Sequence, residues 1–187
     1  MKRLLLKIWS LDSQIRGLLR LGFWLAHSVP LIGRALSLVL DRLLLIFYGL
    51  DVTSRTIRVR SLSVGHPVGV LLGGNGIRSN GTVIVNAGVK FVGHSPRNER
   101  YLQLHKEQRV FELGHNVVIG ANSTIVGPVR ICDNVVIATM SLVNKDITEP
   151  GLYAGIPVKR ISDRISTDWL GDAPSVSDNS RGSKDVA

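Results

Sequence analysis

Side chains able to move a proton near neutral pH are few in this sequence. Five histidines, fourteen carboxylates and one cysteine, Cys132, are spread over 187 residues. A neutral imidazole can take the proton of a hydroxyl as that oxygen attacks an electrophile. A carboxylate on its other ring nitrogen fixes the tautomer and stabilises the imidazolium that forms. Taken singly, however, each histidine reads as a polar surface residue. His66 stands in a Gly- and Pro-flanked turn, His94 beside Ser-Pro, His105 in a charged stretch and His115 in a polar one. No His, Asp or Glu group has metal-ligand spacing, so no metal is expected. Gly73-Gly74-Asn75-Gly76 lacks the Lys-Ser/Thr of a phosphate loop. One cysteine excludes an intramolecular disulfide framework and a multi-cysteine zinc site. Beside an aliphatic residue in a regular stretch, Cys132 reads as structural.

The elements that must position these groups show in the periodicity. Aliphatic residues stand six apart at Leu71, Ile77, Val83 and Val89, and again at Leu113, Ile119, Ile125, Ile131, Ile137 and Val143. A small or β-branched residue tends to follow four positions later, as at Ala87, Val117, Ser123 and Ser141. A step of six fits neither a 3.6-residue helix nor simple strand alternation. It fits a parallel β-helix, in which each hexapeptide forms one flat side of a triangular coil and the aliphatic residue points inward. Residues 95–112 abandon the pattern and read as a polar loop thrown out from the coil. Residues 51–161 are the expected β-helix domain, and 162–187 a polar tail of low apolar content.

Residues 1–50 carry a helical period instead. Leu4, Leu5, Ile8, Ile15, Leu18, Leu19 and Leu25 recur at helical spacing. A second helix is expected over residues 35–48, with Gly49 as its stop. These sixty N-terminal residues and their neighbours hold most of the charge. Residues 1–60 have ten Lys/Arg against three acids, net +7, while residues 61–187 have thirteen against eleven, net +2, giving the total of +9. The segment is expected to cap the main domain, to lie in a membrane interface through Trp9, Phe23 and Trp24, or to do both. Residues 35–50 are broken by Asp41 and Arg42 and are too short to span a bilayer. Lys7 and Asp12 spoil a signal peptide. The expected location is the cytoplasm, with peripheral contact at the inner face of the membrane. Basic-aromatic interleaving is absent, so nucleic acid is not an expected partner.

Over residues 35–161 the chain resembles the left-handed β-helix acyltransferases built from hexapeptide repeats. The closing Ala154-Gly155-Ile156-Pro157-Val158-Lys159 is similar to the segment that lies along coenzyme A in that family, with Val158 in place of the usual Ala. The resemblance supplies the left hand of the coil; periodicity does not. Within the superfamily, Gly49-Leu50-Asp51-Val52 followed by His66-Pro67-Val68-Gly69-Val70 looks like the serine acetyltransferase branch. By that resemblance His66 is the general base and Asp51, fifteen residues earlier, its orienting carboxylate. Gly93-His94-Ser95-Pro96 after Asn86 is similar to the galactoside and maltose acetyltransferases, whose base would fall on His94. His66 ranks first because it has a matched carboxylate, and His94 second, as an acceptor ligand or shared base. Val110 stands where serine acetyltransferases carry a further histidine.

The same resemblance implies acetyl-CoA as cosubstrate. Gly93, Ala121, Ala154, Gly155 and Lys159 match positions lining its groove, where small residues admit the pantetheine and Lys159 meets a phosphate. The expected activity is O-acetylation of a sugar hydroxyl in a surface polysaccharide or its lipid-linked precursor. Serine, as in cysteine biosynthesis, is the alternative acceptor, and a non-catalytic β-helix scaffold the alternative class. A short helical start and its basic charge favour the membrane-bound sugar. Family members place their sites between subunits, so a homotrimer is expected.

Overall fold

A computed structural model of the chain describes residues 10–29, 31–93 and 99–163. It has two helices, α1 (Leu11–Ser28) and α2 (Gly33–Tyr48), then short strands with one helix, α3 (Glu99–Lys106), among them. In chain order the strands are β1 (Asp51–Val52), β2 (Ile57–Val64), β3 (Leu71–Leu72), β4 (Ile77–Val85), β5 (Lys90–Gly93), β6 (Phe111–Leu113) and β7 (Val117–Ile119). There follow β8 (Thr124–Gly127), β9 (Val129–Ile131), β10 (Val135–Ile137), β11 (Leu142–Val143), β12 (Gly151–Ala154) and β13 (Lys159–Ser162).

All pairings are parallel except β12 with β13, and they stack on three faces of a left-handed coil. The first face is β1-β3-β5-β8-β11. The second holds the first halves of β2 and β4, then β6 and β9; the third holds their second halves, then β7, β10 and β12. Each turn of the regular part takes eighteen residues, as in Thr124↔Leu142 and Val117↔Val135. The early turns are longer. Asp51 pairs with Leu71 twenty residues on, and Leu71 with Lys90 nineteen on.

Each face sends a column of aliphatic side chains inward. Val52, Leu72, Phe91, Ile125 and Val143 line the first face, all buried. Val64, Val85, Ile119 and Ile137 line the third. In the second run the positions expected inward, Leu113 through Val143, are all buried. In the first run the phase differs. Leu72, not Leu71, points inward. Ile77 and Val83 are buried but occupy the other inward slot, in register with Phe111 and Val117. A hexapeptide turns two of its residues inward, and where both are aliphatic the spacing alone does not say which leads. The polar excursion also holds more order than its composition suggests. Its α3 is tied back to the coil by the Tyr101 hydroxyl, which donates to Asn75 Oδ1 at 3.0 Å, and by Arg78, which donates to the carbonyls of Glu107 and Gln108.

The helices close the N-terminal end of the coil. Ile15 and Leu19 of α1 are buried there. Asp12 covers the edge strand β2 by accepting from Val64 N at 2.9 Å and Ser63 Oγ at 3.0 Å, which blunts an edge that would otherwise invite strand pairing. Gly49 ends α2 in the left-handed region at φ 64°, as expected of a C-terminal stop. The described helices include none long and apolar enough to cross a membrane. At the other end the β12–β13 hairpin covers the last turn. The expected C-terminal tail lies outside the described residues from 164 onward.

Asp41 on α2 is buried, and both its oxygens accept from Ser54 N, at 3.2 and 3.3 Å. Burial pushes its carboxyl above the ordinary value; the Ser54 hydrogen bonds and Arg55 and Arg42 offset only part of this. A carboxyl raised on folding binds its proton more tightly in the native state. Its ionisation therefore costs stability as pH rises from the unfolded value of about 3.9 through the raised native one. Asp41→Asn removes that cost and keeps one acceptor for Ser54. The stability of the variant relative to wild type should rise between pH 4 and pH 7, measured by urea unfolding at both; a difference independent of pH refutes the account.

Candidate functional site

The corner between the third and first faces gathers most of the residues singled out above. Its backbone ladder runs along the coil axis. Gly69 N donates to Gly49 O, Gly88 N to Val68 O, Asn122 N to Ala87 O and Met140 N to Ala121 O, at 2.8–3.0 Å. One step further the ladder joins Asp51 N to Val70 O and Leu142 N to Gly155 O. Asp51, the His66 turn, Ala121 and Gly155 thus share one edge of the prism. Four rungs of about 4.8 Å separate the His66 turn from Gly155, a span of about 19 Å. The corner demands left-handed backbone at each level, and Gly69, Gly88, Asn122 and Met140 supply it, at φ 56–72°. At Gly88 a Cβ would also run into the Asn122 side chain, so both conformation and space call for glycine.

The His66 turn is the exception on this edge. Between the equivalent donors Gly65 N and Gly69 N lie three residues, where Asn86 to Gly88 and Gly120 to Asn122 leave one. These two extra residues make the turn bulge outward, and His66 and Val68 on it are exposed. Asp51 is exposed at the head of β1. Among the described residues no hydrogen bond joins Asp51 to His66; the ladder brings their backbones together and leaves both side chains open to solvent.

The cofactor candidates divide. Ala121 is half-buried at the corner, Ala154 half-buried beside it, and Gly155 and Lys159 are exposed on the closing hairpin. Gly155 adopts φ 104°, and its N–H donates to Ser141 Oγ at 3.2 Å. Gly93 is elsewhere. It ends β5 opposite Gly127, at the far edge of the first face. A Cβ on Gly93 would meet the Tyr101 hydroxyl at 2.5 Å, so this glycine makes room for α3 of its own chain. His94 lies outside the described residues.

The remaining candidates have local roles. His105 is exposed on α3 with its ring 5.6 Å from that of Tyr101. His115 is exposed, yet its Nδ1 accepts from Thr82 N at 3.2 Å. It packs against the β4 corner at Asn80 and Gly81, a role its surface-like context conceals. Val110 is fully buried, so it holds core space and no polar chemistry. Burial, with Asp133 and Glu149 near, pushes the Cys132 thiol above its ordinary value, which suits a structural residue. Glu112 anchors the return of the excursion. Burial alone would lift its carboxyl, but hydrogen bonds from Arg130 and Arg109 outweigh this and hold it below the ordinary range. Among the described residues, no group of three or more His, Cys, Asp or Glu side chains could hold a metal ion.

Residues 112–145 match the family model described as bacterial transferase hexapeptide (six repeats). Over 94 residues the chain is 35% identical to a Saccharomyces cerevisiae protein that carries the provisional name of acetyltransferase, covering 49% of this chain and 48% of that protein. Among solved structures, serine acetyltransferase in complex with coenzyme A from Brucella abortus aligns with a TM-score of 0.66 at 20% identity. That alignment covers 81% of this chain and 56% of the enzyme. Neisseria gonorrhoeae serine acetyltransferase in complex with serine aligns with a TM-score of 0.62 at 25% identity, covering 79% and 56%. The chain thus spans about half the length of these proteins. It is a left-handed hexapeptide β-helix and is similar to the acyltransferases of that kind, with serine acetyltransferases among its structural relatives.

The corner that carries Ala121 and Gly155 is pinned from inside by two stacked serines. Ser123 Oγ donates to Ala138 O at 2.9 Å and accepts from Ser141 N at 3.2 Å, and Ser123 is fully buried. Ser123→Ala leaves that buried N–H and carbonyl short of a partner and should cost about 1–3 kcal/mol. Urea unfolding should show a lower midpoint at unchanged slope; an unchanged midpoint would show that the serine pair does not hold this corner.

Proposed function

We propose that this protein is an acetyl-CoA-dependent O-acetyltransferase acting on a sugar hydroxyl of a surface polysaccharide or its lipid-linked precursor. The shared edge carries this reading: a bulged histidine turn, a carboxylate on the adjoining rung and a strip of small residues lie along one line of about 19 Å. Such a line suits a long, thin cosubstrate whose reactive end must reach the histidine. The Brucella abortus relative was solved in complex with coenzyme A, which supports that cosubstrate. Ala121, Ala154 and Gly155 leave room for the pantetheine against the backbone, and the exposed Lys159 ammonium is available to a phosphate.

In the proposed reaction, neutral His66 accepts the proton of the acceptor hydroxyl while its oxygen bonds to the thioester carbonyl carbon. Asp51 turns toward the other ring nitrogen, fixes the tautomer and stabilises the imidazolium. That contact forms when the acceptor binds, since catalytic hydrogen bonds often tighten only in the complex. Collapse of the tetrahedral intermediate breaks the carbon–sulfur bond, and the imidazolium returns its proton to the leaving thiolate. Backbone N–H groups stabilise the oxyanion. Gly93 stands at the opposite edge of the first face from His66, so in this reading it joins the site from a neighbouring subunit, and the active form is a cyclic homotrimer. The exposed, outward turn favours an acceptor larger than its binding site, such as a glycan. Serine is the second reading, supported by the Neisseria gonorrhoeae relative's complex with serine.

His66→Ala should lower kcat by about 10²–10⁴ with acetyl-CoA affinity nearly unchanged, because the imidazole acts on the acceptor's proton. Asp51→Asn should lower kcat less, and His94→Ala should act mainly on the acceptor's KM. A dead His94→Ala beside a nearly active His66→Ala would move the base to His94; no acetyl-CoA cleavage by the wild type with any acceptor would leave only a scaffold.

Ala121→Trp tests the cosubstrate line separately. An indole on that half-buried corner position should raise the KM for acetyl-CoA by at least about tenfold, equivalent to about 1.4 kcal/mol of lost binding. Calorimetry showing unchanged coenzyme A binding would place the cosubstrate elsewhere.

A further inference from the structure

Away from the shared edge, α1 leaves part of the coil's open end uncovered, and a cavity of about 680 Å³ remains between that helix and β2. This is the size of a small-molecule site. Its floor is apolar: Leu19 and Leu62 are buried, and Phe23 and Val59 half-buried. Its rim is cationic, formed by Arg16 and Arg20 of α1 and Arg58 and Arg60 of β2. Arg16 is paired with Asp12 at 2.8 Å. Arg20, Arg58 and Arg60 are exposed and form no ion pair among the described residues.

Three guanidinium groups with no ion pair among the described residues line one apolar groove, a local excess of positive charge that a bound anion would relieve. Their planar forks match phosphate oxygens, and a phosphate or diphosphate brings enough charge to answer several of them at once, where a carboxylate brings one. The N-terminal residues 1–9 of this chain are a poor occupant, since they add Lys2, Arg3 and Lys7 and no acid. A nucleic-acid strand would follow the cations but gain little from an aliphatic floor. We propose that this groove binds a phosphorylated amphiphile: an apolar chain over Leu19, Phe23, Val59 and Leu62, with its phosphate or diphosphate among Arg20, Arg58 and Arg60.

The groove also has a direction. β2 leads from it, round the corner between the second and third faces, into the His66 turn, and Arg60 is six positions from His66, at most about 20 Å of extended chain. A glycan carried on a lipid phosphate would be held by its carrier in the groove and extend its sugars toward that turn. This last step rests on the reading of His66 as the acetyl-transfer centre; the binding does not, and the test reads binding alone.

Calorimetry with the full chain and farnesyl diphosphate as probe tests the site, with farnesol and inorganic pyrophosphate as partial ligands. Farnesyl diphosphate should bind at least about tenfold tighter than either, since each lacks one half of the recognition. R58Q/R60Q should weaken it by at least about tenfold, and K145Q, on a remote corner, should leave it unchanged. R20E, on the exposed helix surface, should give the same loss and stands in if the double variant does not fold. Pyrophosphate binding as tightly as farnesyl diphosphate would reduce the site to a free-anion site and overturn the proposal. So would full binding by both arginine variants. Phosphatidylglycerol vesicles recruiting wild type but not R58Q/R60Q, with no farnesyl diphosphate binding, would make the patch a membrane contact instead. Loss of an oligomer in R58Q/R60Q by light scattering would make it an interface between copies.

Discussion

Everything in this structure depends on the backbone ladder that joins each turn of the coil to the next. In a β-helix a rung has no partners except the rungs above and below it, so its corners must repeat in conformation if its faces are to stay in register. That is why Gly69, Gly88, Asn122 and Met140, three residue types with little else in common, share one left-handed backbone conformation. A non-glycine residue pays for that conformation, and Met140 pays more than Asn122, whose short polar side chain is at home there. The cost is met because leaving the ladder would strand buried N–H and carbonyl groups on both neighbouring rungs. The same constraint makes an edge of the prism a ruled line, on which residues far apart in sequence sit at fixed multiples of the rung spacing.

A ruled edge is a good place for chemistry precisely where the rule is locally broken. The aliphatic columns keep the interior dry and rigid, and no side chain facing inward can take part in catalysis. Function has to come from corners that depart from the repeat, and the following are among them. The His66 turn carries two extra residues and pushes an imidazole outward. The corner after β5 opens into the excursion that carries α3. At the corner of Asn80 and Gly81 β2 has one residue fewer than β4, and His115 packs against the β4 corner from the next rung, a structural role.

The fold was legible in the sequence wherever the repeat is strict. From Leu113 to Val143 the six-residue step names inward residues correctly, because every turn there takes eighteen residues and the phase never shifts. From Leu71 to Val89 it does not, because turns of twenty and nineteen residues shift the phase. The α3 helix was hidden by its polar surface: only Tyr101 and Leu104 face the coil, too few to set a period. Of the site, the offset from Asp51 to His66 was visible, but the extra length of the His66 turn was not, since it is measured against neighbouring rungs. Gly93 looked like a groove residue by pattern, and packing gives it the task of admitting Tyr101.

The distribution of charge follows from the same architecture. A coil of stacked rungs offers an open end, and here that end is covered by helices whose inner faces are aliphatic and whose cations have nowhere to go but the rim. Asp12 is the acid most fully used there: it satisfies the β2 edge and Arg16 together, which leaves nothing for Arg20, Arg58 or Arg60. Had the segment been built only as a lid, acids on α1 opposite β2 would have lowered its energy at no cost to the core. Instead the strand places two arginines at alternate positions on its exposed side, facing a helix that adds a third. Part of the uneven charge thus lies on the uncovered rim, where Arg20, Arg58 and Arg60 line one groove with no ion pair among the described residues.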